Sequence, residues 1–549
     1  NRQGAVAERD PDPLASQVPI RVEPSGAVHA VVDQIDDRGQ QLDVLGQHLD
    51  EEALLRAGVH RRVRGLCHHV LMMPEVCPPR RADEPSGAHD GDLDAHPCGS
   101  APSSGPPRTR PVAVDLFAGA GGMTLGFEQA GYDVVAAVEY DPVHAATHAF
   151  NFPQCEVLCR DASLVSAEDV LAAAERGYKR LHPGKVWPGR LDALIGGPPC
   201  QGFSTGGKRE QDDERNDLLL HFVRLVEELR PRTFCLENVA GLLEDKFSDI
   251  RESAFRRLRE AGYALSGTDK PVNSLNFGVP QSRRRVIVLG ALGNVAPSRP
   301  QPVEGRVSVE EAFEGLPSPF GYDVLLASDE VALRSEDIEL RAATKNMYAR
   351  TLAGLTASPG DKSRPRLWES TALTGSRLTT HAEQTILRFA ATDAGTVEPK
   401  SRLYRLPLKG PSRTLRAGTG SERGSHTSPR PIHPTEDRVI TVREAARLHG
   451  YPDWFRFHTT NWHGHRQVGN SVPPPLARAA GLALMGSLGH SPVLLRATVS
   501  LGDRSLLSLS RTEAQSVFDA TADEIPAART RKPASQDDEV QTLPDARTG

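Results

Sequence analysis

The stretch Gly196–Ser204, with the sequence GGPPCQGFS, constrains the fold of this chain more than any other. It follows the apolar run Leu191–Ile195, which predicts a buried β-strand. The glycines and prolines end that strand in a tight, rigid turn that presents Cys200. Open α/β sheets bind their ligands at this end of their strands, so Cys200 is a candidate nucleophile. The alternative for an isolated cysteine is a small buried core residue.

A second strand, turn and helix stand earlier in the chain. Val112–Phe117 predicts a strand, Ala118–Gly122 a glycine turn, and Met123–Ala130 a helix that ends at Gly131. The N-terminus of a helix after such a turn can hold a polar or anionic cofactor. Glycine turns also serve ordinary strand–helix packing, so this unit alone decides little.

Two further predicted strands end in carboxylates. Asp133–Val138 is followed by Glu139 and Tyr140, and Glu156–Cys159 leads to Asp161. An acid roughly 20 residues after the glycines can accept hydrogen bonds from ribose hydroxyls, and a tyrosine can stack on adenine. Either acid alone could be a helix N-cap. Three strand ends with this chemistry together favour a cofactor that contains a nucleoside.

A second acidic candidate follows the predicted strand Phe234–Leu236. Glu237 is expected to share a crevice with Cys200, because successive strands of an α/β sheet end at the same edge. Farther on, Arg283 and Arg285 alternate with the arginine between them, so these two side chains face the same side of a strand. Taken singly, such arginines are more typical of a solvated edge.

Composition limits the class of protein. The 549 residues suffice for two or three domains, and 38% hydrophobic with 25% charged residues are typical of a soluble globular chain. The net charge of −6 indicates that any surface for nucleic acid is local. The sequence has no membrane-spanning run and no signal peptide. Its seven cysteines lack the spacing of a disulfide framework or a zinc site, so we expect a cytoplasmic protein without a metal.

Several blocks of the chain together resemble the DNA (cytosine-5)-methyltransferase family, of the bacterial modification methylase type. They follow the family's linear order and cover residues 112 to about 485. The blocks are DLFAGAGG at 115–122, PPCQGFS at 198–204, ENV at 237–239, QSRRRV at 281–286, RVITVREAARLHGYP at 438–452 and QVGNSVP at 467–473. The resemblance implies an α/β fold: a doubly wound mixed sheet of the Rossmann-like, S-adenosylmethionine-dependent methyltransferase type, with a small target-recognition domain and disordered termini.

The resemblance also implies a reaction, methyl transfer from S-adenosyl-L-methionine to C5 of a cytosine. Cys200 would add to C6 as a covalent nucleophile, and Glu237 would hydrogen-bond N3 and the amino group. Arg285 would contact O2, with Arg283 beside the same site. Because a stacked base is out of reach, the cytosine would be flipped out of the duplex. The predicted catalytic residues are therefore Cys200, Glu237, Arg283 and Arg285.

The residues that the resemblance assigns to the cofactor follow the predicted strand ends. Glu139 would hold the ribose hydroxyls, Tyr140 would pack on adenine and Asp161 would hydrogen-bond the adenine amino group. The block at Asp161 departs from the family, since it reads Cys-Arg-Asp where Gly-Asp is commoner. The full prediction is Asp115, Phe117, Gly119, Gly121, Glu139, Tyr140, Asp161, Pro198 and Asn470.

Residues 318–437 stand where the family has its variable target-recognition domain. Within them, 401–430 carry seven lysines and arginines against one acid, Glu422. This balance is typical of a surface that contacts the DNA backbone, and the alternative is a solvated loop. The predicted DNA contacts are Ser204, Arg405, Arg413 and Arg416.

The predicted organisation has five parts. A low-complexity or disordered extension covers 1–110, the catalytic domain covers 111–317 and 438–490, the recognition domain covers 318–437, and a weakly patterned, largely disordered tail covers 491–549. The implied partners are double-stranded DNA and a cognate restriction endonuclease, with the chain a monomer at the bacterial nucleoid.

Two other functions stay open at this point. An RNA cytosine-5 methyltransferase could use the same scaffold, but the long segment between Gly290 and Arg438 argues for a DNA-reading domain. A catalytically silent DNA-binding homologue is the second alternative, and the intact Cys200, Glu237 and Arg285 argue against it.

Overall fold

The computed structural model describes residues 110–199, 217–418 and 430–520, together with four short strands nearer the N-terminus. Those strands form two antiparallel pairs, Ile20–Val22 with Val28–Ala30 and Gln34–Ile35 with Gln41–Leu42. They belong to a compact unit of their own, Asn1–Pro102. The second unit begins at Ser103 and holds every other described residue.

Arg110, which the sequence places at the end of the extension, is an integral part of the second unit. Its side chain pairs with Asp133 at 2.9 Å and donates hydrogen bonds to the carbonyls of Glu128 at 2.9 Å and Tyr132 at 2.6 Å. A buried guanidinium needs such partners to offset its desolvation. The folded domain therefore includes Arg110.

An eight-stranded mixed sheet forms the centre of the second unit. The strands of this region are β1 (Val112–Leu116), β2 (Asp133–Val138), β3 (Glu156–Leu158), β4 (Ala193–Gly196), β5 (Thr233–Val239), β6 (Tyr263–Ser266), β7 (Val272–Asn273), β8 (Gln281–Ser282) and β9 (Arg284–Leu292). The sheet order is β6-β9-β5-β4-β1-β2-β3, with β7 also paired to β9. Strands β1 to β5 run parallel, and β9 runs antiparallel to β5. The order reverses on either side of β1, so β1 and β4 border the crevice at the switch point. The predicted doubly wound mixed sheet is confirmed.

Helices cover both faces of this sheet. The helices are α1 (Gly122–Ala130), α2 (Pro142–Asn151), α3 (Ala167–Leu181), α4 (Asp217–Leu229), α5 (Ser248–Glu260), α6 (Val309–Phe313), α7 (Ser335–Ala342), α8 (Met347–Leu352), α9 (Glu383–Ala390), α10 (Val442–Arg447), α11 (Asn461–Asn470), α12 (Pro474–Ser487) and α13 (Arg511–Val517). One core joins α3, α4 and α5 to the sheet through residues such as Leu194, Phe222 and Phe234. The other joins α1 and α12 to it through residues such as Phe127 and Leu476. Among the described helices, none is long and apolar enough to cross a membrane.

Local signals in the sequence explain where these helices begin and end. Gly131, with φ of 107°, ends α1 in the left-handed conformation that glycine adopts without strain. Thr441 caps α10, and Glu444 completes a capping box. Helix α12 follows the last motif block and packs on α1 and the sheet.

The region between the sheet and α10 consists of short elements. Its strands are β10 (Val331–Ala332), β11 (Arg366–Leu367), β12 (Ala372–Leu373) and β13 (Ser412–Arg413), of which β10 pairs with β12 and β13 pairs with β8. Part of this region packs on the catalytic half, since Arg364 pairs with Asp133 at 2.8 Å and Arg366 with Glu128 at 2.6 Å.

The tail prediction needs correction for residues 491–520. Strand β14 (Val499–Ser500) runs parallel to β11, and α13 lies on α2. Leu507 and Ala514 are buried even though they stand in a weakly apolar stretch. The pattern is weak because each short element buries only one or two side chains.

Candidate active site

The loop that follows β1 has a strained backbone. Phe117 has a φ of 58°, and Gly119 and Gly121 have φ of 56° and 103°. A phenylalanine rarely adopts positive φ, and such strain persists where the surrounding structure holds it. The amide of Gly119 donates a 2.7 Å hydrogen bond to Oε2 of Glu139, which anchors this loop to the end of β2.

The two glycines of the loop serve different purposes. A Cβ at Gly119 would have no heavy atom within 4 Å, so this position faces open space. A Cβ at Gly121 would lie 2.4 Å from the ring of Phe152. The first glycine therefore leaves room beside the loop, and the second allows the end of α2 to approach closely.

Asp115 lies beneath this loop with one oxygen unpartnered. Its Oδ2 accepts a 2.7 Å hydrogen bond from Thr124, whereas Oδ1 is buried and has no partner among the described residues. Burial raises the pKa of Asp115 to about 7. The Thr124 hydroxyl also lies 3.0 Å from Nε2 of His148, a ring whose pKa burial lowers to about 3. An unpartnered buried oxygen is costly unless a ligand donates to it.

The next two strand ends present the predicted nucleoside-binding residues. Oε1 of Glu139 accepts a 2.8 Å hydrogen bond from the amide of Asp141, and burial raises the pKa of Glu139. Tyr140 is 39% exposed, so part of its ring is accessible from the surface. Asp161 accepts a 2.9 Å hydrogen bond from the amide of Ser163. These residues follow β2 and β3, which are neighbours in the sheet.

Glu237 lies inside β5, which extends past the predicted end at Leu236, and Arg285 lies inside β9. Together they form the centre of the crevice at the C-terminal end of β4. Oε1 of Glu237 lies 2.8 Å from Nε of Arg285, and the two side chains are only 10% and 12% exposed. They meet because β5 and β9 are adjacent antiparallel strands. A Cβ at Gly197 would lie 2.9 Å from Oε2 of Glu237, so the chain leaving β4 passes against this carboxylate.

The loop that carries the predicted nucleophile begins beside this pair. Pro198 is buried, and its carbonyl lies 3.5 Å from Nδ2 of Asn238. Cys200 and Ser204 lie outside the described residues. Cys200 therefore remains a prediction from the sequence, and the structure adds that the chain passes Glu237 three residues earlier.

The structure corrects the catalytic assignment of Arg283. Its guanidinium is fully buried and donates to three backbone carbonyls, those of Leu415 at 3.0 Å, Gly469 at 3.0 Å and Ser471 at 2.9 Å. Arg283 thus holds the segment after β13 and the end of α11 in place, and it acts as a positioning residue. Arg283 lies between β8 and β9 and belongs to neither strand, and it is buried while Arg284 is exposed.

We expect Arg283→Met to lower the free energy of unfolding by about 2–4 kcal/mol, because three carbonyls lose a charged donor. Urea denaturation followed by circular dichroism measures this change. Arg284→Met is the matched control, and as an exposed substitution it should change stability by less than about 0.5 kcal/mol. Equal effects of the two substitutions would contradict the positioning role.

A basic groove lies beside the end of β13. Its cavity of about 400 Å³ is lined by Ser282, Val397, Arg402, Leu403, Tyr404, Arg413, Thr414, Leu415, Arg416, Arg430 and Pro431. Arg413 and Arg416 are exposed, and the guanidinium of Arg413 lies 3.9 Å from the ring centroid of Tyr404. A groove with this charge and an aromatic floor is suited to a nucleic-acid strand.

Arg405 is corrected as a DNA contact. Its side chain is buried, pairs with Asp437 at 3.0 Å, and donates to the carbonyls of Phe389 and Pro434. The charge count over 401–430 could not distinguish this arginine from its exposed neighbours.

Asn470 ends α11 and is exposed. The residues after it pack on the glycine loop, since a Cβ at Gly122 would lie 2.4 Å from the carbonyl of Val472 and 3.1 Å from Cβ of Ser471. The last motif block therefore packs on the glycine loop, and the cofactor role of Asn470 stays a prediction.

Three residues of the site were missed by sequence reasoning. Thr124 and His148 bind one another beneath the loop, and Tyr404 supports Arg413. Tyr404 stands within the basic stretch, where interleaved aromatic residues are a signal for nucleic-acid binding. His148 and Thr124 show no pattern in the sequence that could have identified them.

Comparison with known proteins gives the family of the chain. Residues 112–485 match the family model described as C-5 cytosine-specific DNA methylase. The chain is 46% identical over 411 residues to the type II methyltransferase M.XorII of Xanthomonas oryzae pv. oryzae, an alignment covering 75% of this chain and 93% of the relative. It is 29% identical over 437 residues to the type II methyltransferase M.AgeI of Thalassovita gelatinovora, covering 67% and 97%. One similar solved structure is a putative DNA modification methyltransferase encoded within an E. coli prophage, with 33% identity, a TM-score of 0.54, and coverage of 69% of this chain and 99% of that one.

Proposed function

This chain belongs to the C-5 cytosine-specific DNA methylase family, and we propose that it methylates cytosine within one short duplex sequence through a covalent adduct on Cys200. The family match and the 46% identical type II methyltransferase make the chain an enzyme that acts on DNA. They argue against an RNA methyltransferase and against a catalytically silent homologue. The observation that carries the proposal is the nearly buried Glu237–Arg285 pair. It lies where the chain leaves β4 and leads into the Cys200 loop.

The first chemical step is addition of the Cys200 thiolate to C6 of the flipped cytosine. A bond forms between sulfur and C6, and the electron pair of the C5–C6 double bond shifts toward C4 and N3. C5 thereby gains the character of an enamine carbon and becomes nucleophilic. Transfer of the methyl group to C5 would break its bond to sulfur and leave S-adenosylhomocysteine. Loss of the C5 proton to a base would then restore the C5–C6 double bond and expel the Cys200 thiolate. Among the described residues, one acidic and one basic side chain are placed to stabilise the cytosine ring during this addition.

Glu237 and Arg285 supply that stabilisation. Glu237 would hold N3 and the amino group, and Arg285 would hold O2, where negative charge develops during addition. Their 2.8 Å ion pair orients both groups before a base enters. Because the pair is nearly enclosed, its electrostatic effect is stronger than in water. A side chain at Gly197 would collide with the carboxylate, which explains a glycine there.

The residues of the glycine loop fit S-adenosylmethionine as the methyl donor. Gly119 leaves open space, Glu139 offers a carboxylate for the ribose hydroxyls, and Oδ1 of Asp115 is a buried acceptor that lacks a donor. The bound cofactor supplies an electrophilic methyl group. Phe117, Gly121, Tyr140, Asp161, Pro198 and Asn470 complete the proposed cofactor set.

The basic groove is the proposed contact for the DNA backbone. Arg413 and Arg416 are exposed there, and Ser282 connects the groove to β8, two residues before the strand that carries Arg285. DNA bound in this groove would therefore lie near the base-binding residues. The recognition domain is proposed to comprise residues 318–437, with the catalytic domain at 111–317 and 438–490.

We expect Arg413→Ala with Arg416→Ala to weaken DNA binding and to reduce the slope of log K against log [salt] by about two, because each arginine that contacts a phosphate displaces about one counterion. Fluorescence anisotropy with a labelled duplex at several salt concentrations measures the slope. Arg256→Ala is the control, since this exposed arginine pairs with Glu260 on α5. An unchanged slope in the double variant would exclude the groove as the DNA contact.

We further propose that the chain is the modification enzyme of a restriction–modification system and acts as a monomer in the bacterial cytoplasm. Its relatives M.XorII and M.AgeI are named type II methyltransferases, which supports a cognate endonuclease as the biological partner. Transfer of tritiated methyl groups from S-adenosylmethionine to unmethylated plasmid DNA, compared with transfer RNA, tests the reaction. We expect label in DNA alone, and label in transfer RNA alone would refute the proposal.

A further inference from the structure

The folded tail reaches the nucleoside end of the proposed cofactor site. It is tied to the rest of the domain by backbone hydrogen bonds, from Gly502 to the carbonyl of Phe150 at 2.8 Å and from Thr459 to the carbonyl of Leu507 at 2.9 Å. The family model ends at residue 485, so this segment lies beyond the matched region.

Helix α13 lies along α2, the helix that begins directly after Tyr140. Ala514 is fully buried against Val143 and Ala146, and Phe518 packs on the same cluster. Asp141, the residue after Tyr140, is the N-cap of α2. A helix that packs on the first turns of α2 therefore lies at the rim of the proposed cofactor site.

Arg511, the first residue of α13, contacts Tyr140 itself. The guanidinium carbon lies 6.0 Å from the centre of the Tyr140 ring. Burial raises the pKa of the Tyr140 phenol, and the charge of Arg511 opposes this rise. Arg511 also stands close to Asp141. Burial raises the pKa of the Asp141 carboxyl, but the combined effect of His144, Arg511, Arg466 and the amide of Val143 is larger and lowers it. The ring is 39% exposed, so one part is held by Arg511 while another stays open to a ligand.

The end of the tail covers the neighbouring strand end. Phe518 and Ala520 pack on Ala145 and Cys159, and Cys159 stands two residues before Asp161. The tail therefore lies against both positions that the proposed function gives to the adenosine moiety, the one after β2 and the one after β3.

We propose that residues 499–520 form the outer wall of the adenosyl-binding site and that Arg511 positions Tyr140 against the adenine ring. The inference rests on the proposed use of S-adenosylmethionine. Arg511 restricts the rotation of the Tyr140 ring, so the ligand does not have to immobilise it on binding. The positive charge of Arg511 near the Tyr140 ring also adds a cation–π attraction between these two side chains.

Isothermal titration calorimetry with S-adenosylhomocysteine and the full chain tests this inference. We expect Arg511→Ala to weaken binding about two- to fivefold, and Arg511→Lys to restore part of the loss. The matched control is Arg504→Ala, because Arg504 belongs to the same tail but is exposed and pairs with Glu330. Thermal unfolding of each variant shows that the tail remains folded.

A double-mutant cycle separates positioning from general damage to the fold. In a Tyr140→Ala background, Arg511→Ala should have no further effect on the dissociation constant, because Arg511 acts through Tyr140. In turnover assays the KM for S-adenosylmethionine should rise while kcat stays unchanged. Equal affinity of wild type and Arg511→Ala, or an equal loss in both backgrounds, would overturn the inference. Failure of the wild-type chain to bind would overturn the proposed cofactor, and the inference with it.

Discussion

Cys200→Ala is expected to abolish methyl transfer, with a loss of at least about 10⁴-fold, while the chain keeps its affinity for S-adenosylhomocysteine. Without the sulfur no covalent bond forms at C6, so C5 stays too weak a nucleophile to attack a methyl group. Most of the proposed cofactor residues stand at the ends of β1, β2 and β3 rather than beside Cys200, so ligand binding should survive. A radioactive methyl-transfer assay and calorimetry on the same preparation measure the two properties.

The matched control for this substitution is Cys235→Ala. Cys235 lies fully buried on β5, and burial raises the pKa of its thiol, so it is not available as a nucleophile. This variant should remain active after a modest loss of stability. Residual turnover in Cys200→Ala, or loss of turnover in Cys235→Ala alone, would contradict the assignment of the nucleophile.

Glu237→Gln should lower kcat by about 10²- to 10⁴-fold, because it removes the charged partner of Arg285 and the group that holds N3. The change keeps the shape of the side chain, so Gly197 still passes against it and the fold is retained. Single-turnover methylation with saturating cofactor measures the chemical step.

Glu260→Gln is the control for this loss, since Glu260 forms an exposed pair with Arg256 on α5. It should turn over at the wild-type rate. A Glu237→Gln variant with wild-type kcat and a raised KM for DNA would show that Glu237 contributes only to binding, against the proposed mechanism.

The sheet and the strand ends were accessible from the sequence because they depend on local signals. Apolar runs followed by glycine, proline or an acid indicate both the strand and its C-terminal end, and this placed Glu139 correctly after β2. Glu237 instead lies inside β5, two residues before its end, because the strand continues past Leu236. The capping box at Thr441 is equally local.

The side-chain roles that the sequence did not predict depend on partners far away in the chain. Arg283 and Arg405 look like other arginines in the sequence, and only the folded chain brings carbonyls and Asp437 to them. The same holds for Arg511, whose neighbour Tyr140 stands far away in the chain. Burial of a charged group depends on its tertiary partners, which no short window contains.

The measurement that tests the central claim most directly is bisulfite sequencing of plasmid DNA from a methylation-free host that expresses this chain. The account predicts 5-methylcytosine at one position of one short duplex sequence, and none in a host that expresses Cys200→Ala. Unmethylated DNA from cells that hold the folded wild-type protein would contradict it.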